Sequence, residues 1–133
     1  MEPMNRFEAI VTDIYRNEGV SIVDFDANGT ALRMTALALE GIEEGSRVVV
    51  GAKASQIALA KGDTQGLSIS NRFEADIEAI KTGVLLCSVR LRLGDAPFES
   101  LITADSAKRL GLAVGERVTV LIKSTELFIA ERR

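Results

Sequence analysis

The side chains that do most chemistry near neutral pH are nearly absent from this chain of 133 residues, which has no His and a single Cys, Cys87. A Ser or Cys nucleophile paired with His is excluded, as is a zinc site built from His and Cys. No intrachain disulfide can form, and a lone thiol suits a reducing cytoplasm. No acid–base pair or nucleophile–base set is visible, so the expectation is a protein that is not an enzyme. Charge is 16 Lys and Arg against 19 Asp and Glu, net −3, which argues against general binding to a phosphate backbone. Five Phe, one Tyr and no Trp leave little for stacking bases, so no nucleic-acid partner is expected. Read locally, Thr103 and Ser106 are the N-cap and N3 residues of a short helix, and Lys123 ends a strand pattern. Ser68 and Ser70 read locally as polar residues of a linker or sheet edge, and Cys87 as a small core residue.

The elements that must position these residues come in duplicate. Asn5-Arg6-Phe7-Glu8-Ala9 recurs letter for letter as Asn71-Arg72-Phe73-Glu74-Ala75, an offset of 66. Further along the offset becomes 70: Gly41, Gly45, Arg47, Val48, Val50 and Lys53 match Gly111, Gly115, Arg117, Val118, Val120 and Lys123. The chain therefore divides into a first repeat, 1–61, and a second, 66–133, with Gly62–Gly66 as linker and four extra residues inside the second copy. Each unit is small for a self-sufficient core, so the two are expected to pack on each other.

Within each unit apolar residues alternate with polar ones, as in half-buried strands: Phe7, Ala9 and Val11, then Phe73, Ala75 and Ile77. The parity then switches in both copies, to Ile14 and Ile80, which predicts a β-bulge or sharp bend. Cys87–Leu93, Phe98–Thr103, Arg117–Lys123 and Leu127–Ala130 read as further strands, with a turn at Gly94–Pro97. Ala104–Leu110, opened by Thr103 and stopped by Gly111, reads as a helix, with a shorter one at Ala36–Glu40 in the first repeat. The fold class is all-β with one short helix per repeat, two tandem OB-like small β-barrels. The amino terminus lacks the apolar run of a signal peptide, and no stretch is long enough to span a membrane, so no membrane partner is expected.

The second repeat resembles the Mop (molbindin) domain of the TOBE superfamily. The resemblance rests on Ser68-Ile69-Ser70-Asn71-Arg72 for a Ser-x-Arg-Asn opening and Thr103-Ala104-Asp105-Ser106 for Thr-x-x-Ser. It rests also on Leu110-Gly111-Leu112 with Gly115, and on Lys123-Ser124. The whole chain is then similar to the tandem Mop proteins that assemble as trimers and hold molybdate or tungstate in the cytoplasm. The resemblance implies Ser68, Ser70, Thr103, Ser106, Lys123 and Ser124 as oxyanion-binding residues. At Ser70 it implies the backbone N–H contact of the motif's Arg position, which survives the replacement by Ser, while any guanidinium contribution is lost. In the first repeat, Glu2 stands at the position of Ser68, Thr35 is taken for Thr103, and Lys53-Ala54 keeps the lysine end. Thr35 and Lys53 are thus the candidates for a second or shared site. The implied ligand is molybdate or tungstate, with no cofactor and no metal ion held by side chains. The implied role is storage, buffering or delivery, against the alternative of a molybdate-sensing module acting through a protein partner.

One feature lies outside the resemblance. Asp24 and Asp26 occupy the positions of Arg90 and Arg92, so equivalent faces carry opposite signs. The expectation drawn from this is that the two faces meet, within or between chains, and enforce contacts between unlike repeats.

Overall fold

The computed structural model describes residues 4–133, and Glu2 lies outside them. The first repeat contributes β1 (Met4–Asn17), β2 (Val20–Ala27), β3 (Thr30–Leu37), β4 (Arg47–Lys53) and β5 (Ala58–Ala60). The second contributes β6 (Asn71–Thr82), β7 (Leu86–Leu93), β8 (Ala96–Thr103), α1 (Ala104–Leu110), β9 (Arg117–Ile122) and β10 (Phe128–Arg132). A 3-10 turn follows β4 at Ala54–Gln56, and its counterpart follows β9 at Ser124–Glu126.

Two curled antiparallel sheets form, in the orders β10-β4-β1-β2-β3 and β5-β9-β6-β7-β8, consistent with two OB-like barrels. The repeats exchange their last strands. β5 pairs with β9 of the second repeat, and β10 pairs with β4 of the first. Side-chain size matches this exchange. Phe128 lies opposite Gly51, where a Cβ would come within 2.5 Å of its ring, and Ala58 lies opposite Leu121. Unexchanged strands would set Phe128 on Leu121 and leave Ala58 over Gly51, a clash on one side and a void on the other.

The parity switch is a bulge in both copies. The β1–β2 register slips between Val11 and Asp13, and the β6–β7 register between Ile77 and Ala79. The turn β1–β2 uses Glu18 and Gly19, and the turn β2–β3 uses Asn28 and Gly29, all at positive φ as a two-residue hairpin loop requires. One buried cluster runs through both repeats, and Phe7 meets Phe98 edge-on at 5.5 Å between centroids.

Helix α1 forms as its local signals direct. Thr103 accepts from the Ser106 N–H at the N-cap, and Gly111 closes the far end in the left-handed conformation. The first repeat holds no such helix. Ala36 and Leu37 finish β3, Ala38 takes a φ of 50°, and its N–H donates to the Gly19 carbonyl. With four fewer residues the chain turns there instead of completing a helical turn.

The opposite charges at the 24/90 and 26/92 positions do not meet within the chain. Asp24 takes both Nε and Nη2 of Arg33 on its own neighbouring strand. Arg90 stands opposite Glu99, and Arg92 pairs with Glu78. The polarity of one cross-strand pair, Asp24 with Arg33 against Arg90 with Glu99, is inverted between the repeats, and Asp26 accepts the Gly29 N–H.

Candidate functional site

The repeated asparagines build two matching clefts. Asn71, at the start of β6, reaches across to β3. Its Nδ2 donates to the Arg33 carbonyl at 2.9 Å, and its Oδ1 accepts the Arg33 N–H at 2.7 Å. Asn5 does the same to β8, with both bonds to Glu99 at 2.8 Å. Both asparagines are buried. Each clamps a strand of the other repeat.

In the first cleft β3 packs against the 3-10 turn Ser124–Glu126. Thr35, two residues beyond Arg33 on the same face of β3, lies 2.9 Å hydroxyl to hydroxyl from Ser124. One step past the last rung of the β6–β9 ladder, Asn71 opposite Ile122, come Ser70 and Lys123. Ser70, Asn71 and Arg33 line one cavity of about 440 Å3, whose other side carries Thr12, Asp13 and Asp24. The Arg33 guanidinium is fixed by Asp24 and lies 5.9 Å from the centre of the Tyr15 ring. The hydrogen bond it donates to Asp24, then the charge of that carboxylate, holds the guanidinium pKa above its ordinary value.

In the second cleft β8 packs against the 3-10 turn Ala54–Gln56, and the buried Ser100 donates to the Ile57 carbonyl at 2.7 Å. The positions equivalent to Arg33, Thr35 and Ser124 are Glu99, Leu101 and Ala54. Met4 pairs with Lys53 where the other cleft has Ser70 and Lys123.

The sequence-derived candidates thus fall into two groups. Ser70, Lys123 and Ser124 gather in the first cleft, and Thr35 joins them from the other repeat. Ser68 is exposed two residues ahead of Ser70. Thr103 ends β8, the strand of the second cleft, and Ser106 lies in the first turn of α1 just beyond it, where their hydroxyls pair at 2.8 Å. Lys53 is exposed in that cleft as well, so Thr35 and Lys53 are parted. The register also corrects one equivalence. Val20 pairs with Leu37 as Leu86 pairs with Thr103, so Leu37 is the counterpart of Thr103, and Thr35 that of Leu101. Sequence reasoning missed Arg33. Its only signal was the inverted charge pair, since Arg33 faces Asp24 where Glu99 faces Arg90.

Among the described residues no group of three or more His, Cys, Asp or Glu could hold a metal ion, and no helix is long and apolar enough to cross a membrane. The first cleft offers hydroxyl and cationic donors, which is a set for an acceptor-only ligand.

The family model described as the TOBE domain matches residues 67–129. Over 64 residues the chain is 33% identical to molybdenum-pterin-binding protein 1 of Clostridium pasteurianum, covering 47% of this chain and 94% of that protein. Molybdenum-pterin-binding protein 2 of the same organism is 31% identical over the same span. Over 91 residues the chain is 32% identical to the molybdenum import ATP-binding protein ModC of Methylococcus capsulatus, which covers 65% of this chain. The chain spans only 25% of that importer subunit's length. Among solved structures, the cytoplasmic molybdate-binding protein ModG with molybdate bound has a TM-score of 0.86 at 24% identity, over 93% of each chain.

Proposed function

We propose, from the premise that this chain belongs to the TOBE-domain family of the molybdenum-pterin-binding proteins, that it binds molybdate or tungstate and does not turn it over. The role is storage, buffering or delivery of the anion in the cytoplasm. The observation that carries this reading is the Thr35–Ser124 hydroxyl pair, 2.9 Å apart across the junction of the repeats and next to Lys123. A tetrahedral dianion has only acceptor oxygens, so its site must be a shell of donors. Two hydroxyls that face each other rotate without cost in backbone strain, and each then offers its hydrogen to the ligand. Ser70, and Ser68 ahead of it, add donors, and Lys123 supplies a compact cation. Charge-assisted bonds contribute about 1.5–3 kcal/mol each, so a handful offsets the desolvation of the anion. Selectivity over sulfate follows from size, because Mo–O bonds are longer than S–O bonds and a cage fitted to the larger ion stretches the bonds to the smaller.

Thr103 and Ser106 stand at the end of β8 and the start of α1, away from the first cleft, so they complete the donor set through a neighbouring copy. That is why we place the working state as a homo-oligomer, a trimer by family resemblance, with the repeats 1–61 and 66–133 as its domains. The test is calorimetric titration with molybdate in excess sulfate, with the oligomer mass measured on the same sample. Saturable heat near one anion per chain is expected. A folded oligomer that gives no heat with molybdate or tungstate overturns the proposal.

A further inference from the structure

We infer that Arg33 is a ligand-contacting and charge-setting residue of the first cleft, so that this chain's oxyanion site takes a guanidinium from the first repeat. The inference rests on the oxyanion reading above. Four observations carry it. Arg33 and Thr35 lie on one face of β3, one pleat apart, and Thr35 touches Ser124. Arg33 lines the same cavity as Ser70. Its backbone is locked at both N–H and carbonyl by the buried Asn71. Its guanidinium is already oriented, since Asp24 takes Nε and Nη2 at 2.7 and 3.0 Å, while no protein partner meets the Nη1 edge among the described residues. A planar cation held on one edge presents its remaining donors in a fixed direction, which suits tetrahedral oxyanions better than a free lysine does.

The carboxylates of the same cavity explain why such a cation is needed. Asp13 and Asp24 line its far side, and both repel a dianion. Arg33 stands between Asp24 and the Ser70 end, so it both donates to the anion and screens it. The matched position in the second cleft is Glu99, which reverses the effect. At this position one cleft therefore favours an anion and the other disfavours it.

The experiment titrates molybdate into the full-length protein, its Arg33→Gln, Arg33→Lys and Asp24→Asn variants, with thermal midpoints recorded for each. Arg33→Gln is expected to weaken binding at least tenfold, and Arg33→Lys by less, because charge survives without the planar fork. Asp24→Asn loosens the orientation of the guanidinium but keeps its charge and removes a repelling carboxylate, so it is expected to lose clearly less than Arg33→Gln. Equal losses in Arg33→Gln and Asp24→Asn would mean that the ion pair only props the strand, and would overturn the inference. Unchanged binding in Arg33→Gln overturns it too, while leaving the function intact. Failure of the parent protein to bind removes both.

Discussion

The two clefts share a backbone and differ in most of the side chains that line them. Asn71 and Asn5 make the same pair of bonds, within 2.7–2.9 Å, to the same position of the opposite repeat. Around that clamp one cleft presents Arg33, Thr35, Ser70 and Ser124, and the other Glu99, Leu101, Met4 and Ala54. Only the lysines, Lys123 and Lys53, appear in both. The clamps are buried and join two repeats that are each too small to stand alone, so folding fixes them. The linings are partly exposed and contribute little to stability, so they are free to differ. Duplication has given one scaffold two differently lined clefts, with Arg33, Thr35 and Ser124 on one side and Lys53, Thr103 and Ser106 on the other.

Removing the clamps tests that separation with the largest expected effect. Asn71→Ala and Asn5→Ala each delete two bonds and strand a buried N–H and carbonyl, a loss of about 2–4 kcal/mol apiece. Chemical denaturation should show similar losses for both. Molybdate titration of the folded fraction should separate them: Asn71→Ala weakens binding, and Asn5→Ala leaves it near the parent value. If both weaken it equally, the second cleft also holds ligand, and the comparison fails.

The sequence exposes the parts of this architecture that depend on local pattern. Alternation marks Phe7–Val11 and Phe73–Ile77 as half-buried strands, and the shared parity switch marks both bulges, because each extra residue flips the side-chain phase. Thr103 and Gly111 announce α1 by its caps. What the pattern cannot carry is which edge a strand joins. Ala58–Ala60 and Phe128–Arg132 read as strands whichever sheet takes them, and the fit of Phe128 over Gly51 exists only once they are paired. The site was legible to the same depth. Its donor types could be read, but their grouping could not. The third strand of one repeat meets the first strand and 3-10 turn of the other, and this brings Thr35 to Ser124. The four-residue deficit of the first repeat was visible, yet it makes a turn at Ala38 and not a shorter helix.

A more moderate effect is expected from exchanging the linings. Thr35→Val with Ser124→Ala removes two hydroxyl donors and should weaken molybdate binding by roughly tenfold or more per hydroxyl, with little change in thermal midpoint. The converse graft installs Leu101→Thr, Ala54→Ser, Glu99→Arg and Arg90→Asp, the last to keep the cross-strand pair balanced. It should raise the calorimetric stoichiometry above that of the parent. A graft that folds and gains no binding would show that the clamp geometry alone does not make the two clefts equivalent scaffolds.

The smallest effect concerns the tails of the exchanged strands, which the two repeats secure differently. Behind β5, Lys61 pairs with Glu116 at 2.7 Å and donates to the Gly111 carbonyl. Behind β10, Arg133 pairs with Glu8, and Arg132 donates to the Glu40 carbonyl at 2.6 Å. The Lys61 hydrogen bond holds the Glu116 carboxyl below its usual pKa, and the Arg133 hydrogen bond does the same for Glu8. A carboxyl depressed in the folded state binds its proton more readily once the chain unfolds. Each pair therefore adds stability above the unfolded carboxyl pKa, near 4.5, and that stability is lost as pH falls through the folded value. Both pairs are exposed and screened, so each contributes modestly. Stability measured from pH 7 down to pH 3 should decline less steeply in Lys61→Gln and in Arg133→Gln than in the parent, and 1 M salt should shrink the difference. The two variants should differ from each other in proteolysis. Lys61→Gln frees the linker beside β5 and exposes Gly62–Gly66 to cleavage, whereas Arg133→Gln still leaves β10 held by Arg132. Equal cleavage of the linker in both would mean that β5 is held by its ladder to β9 alone.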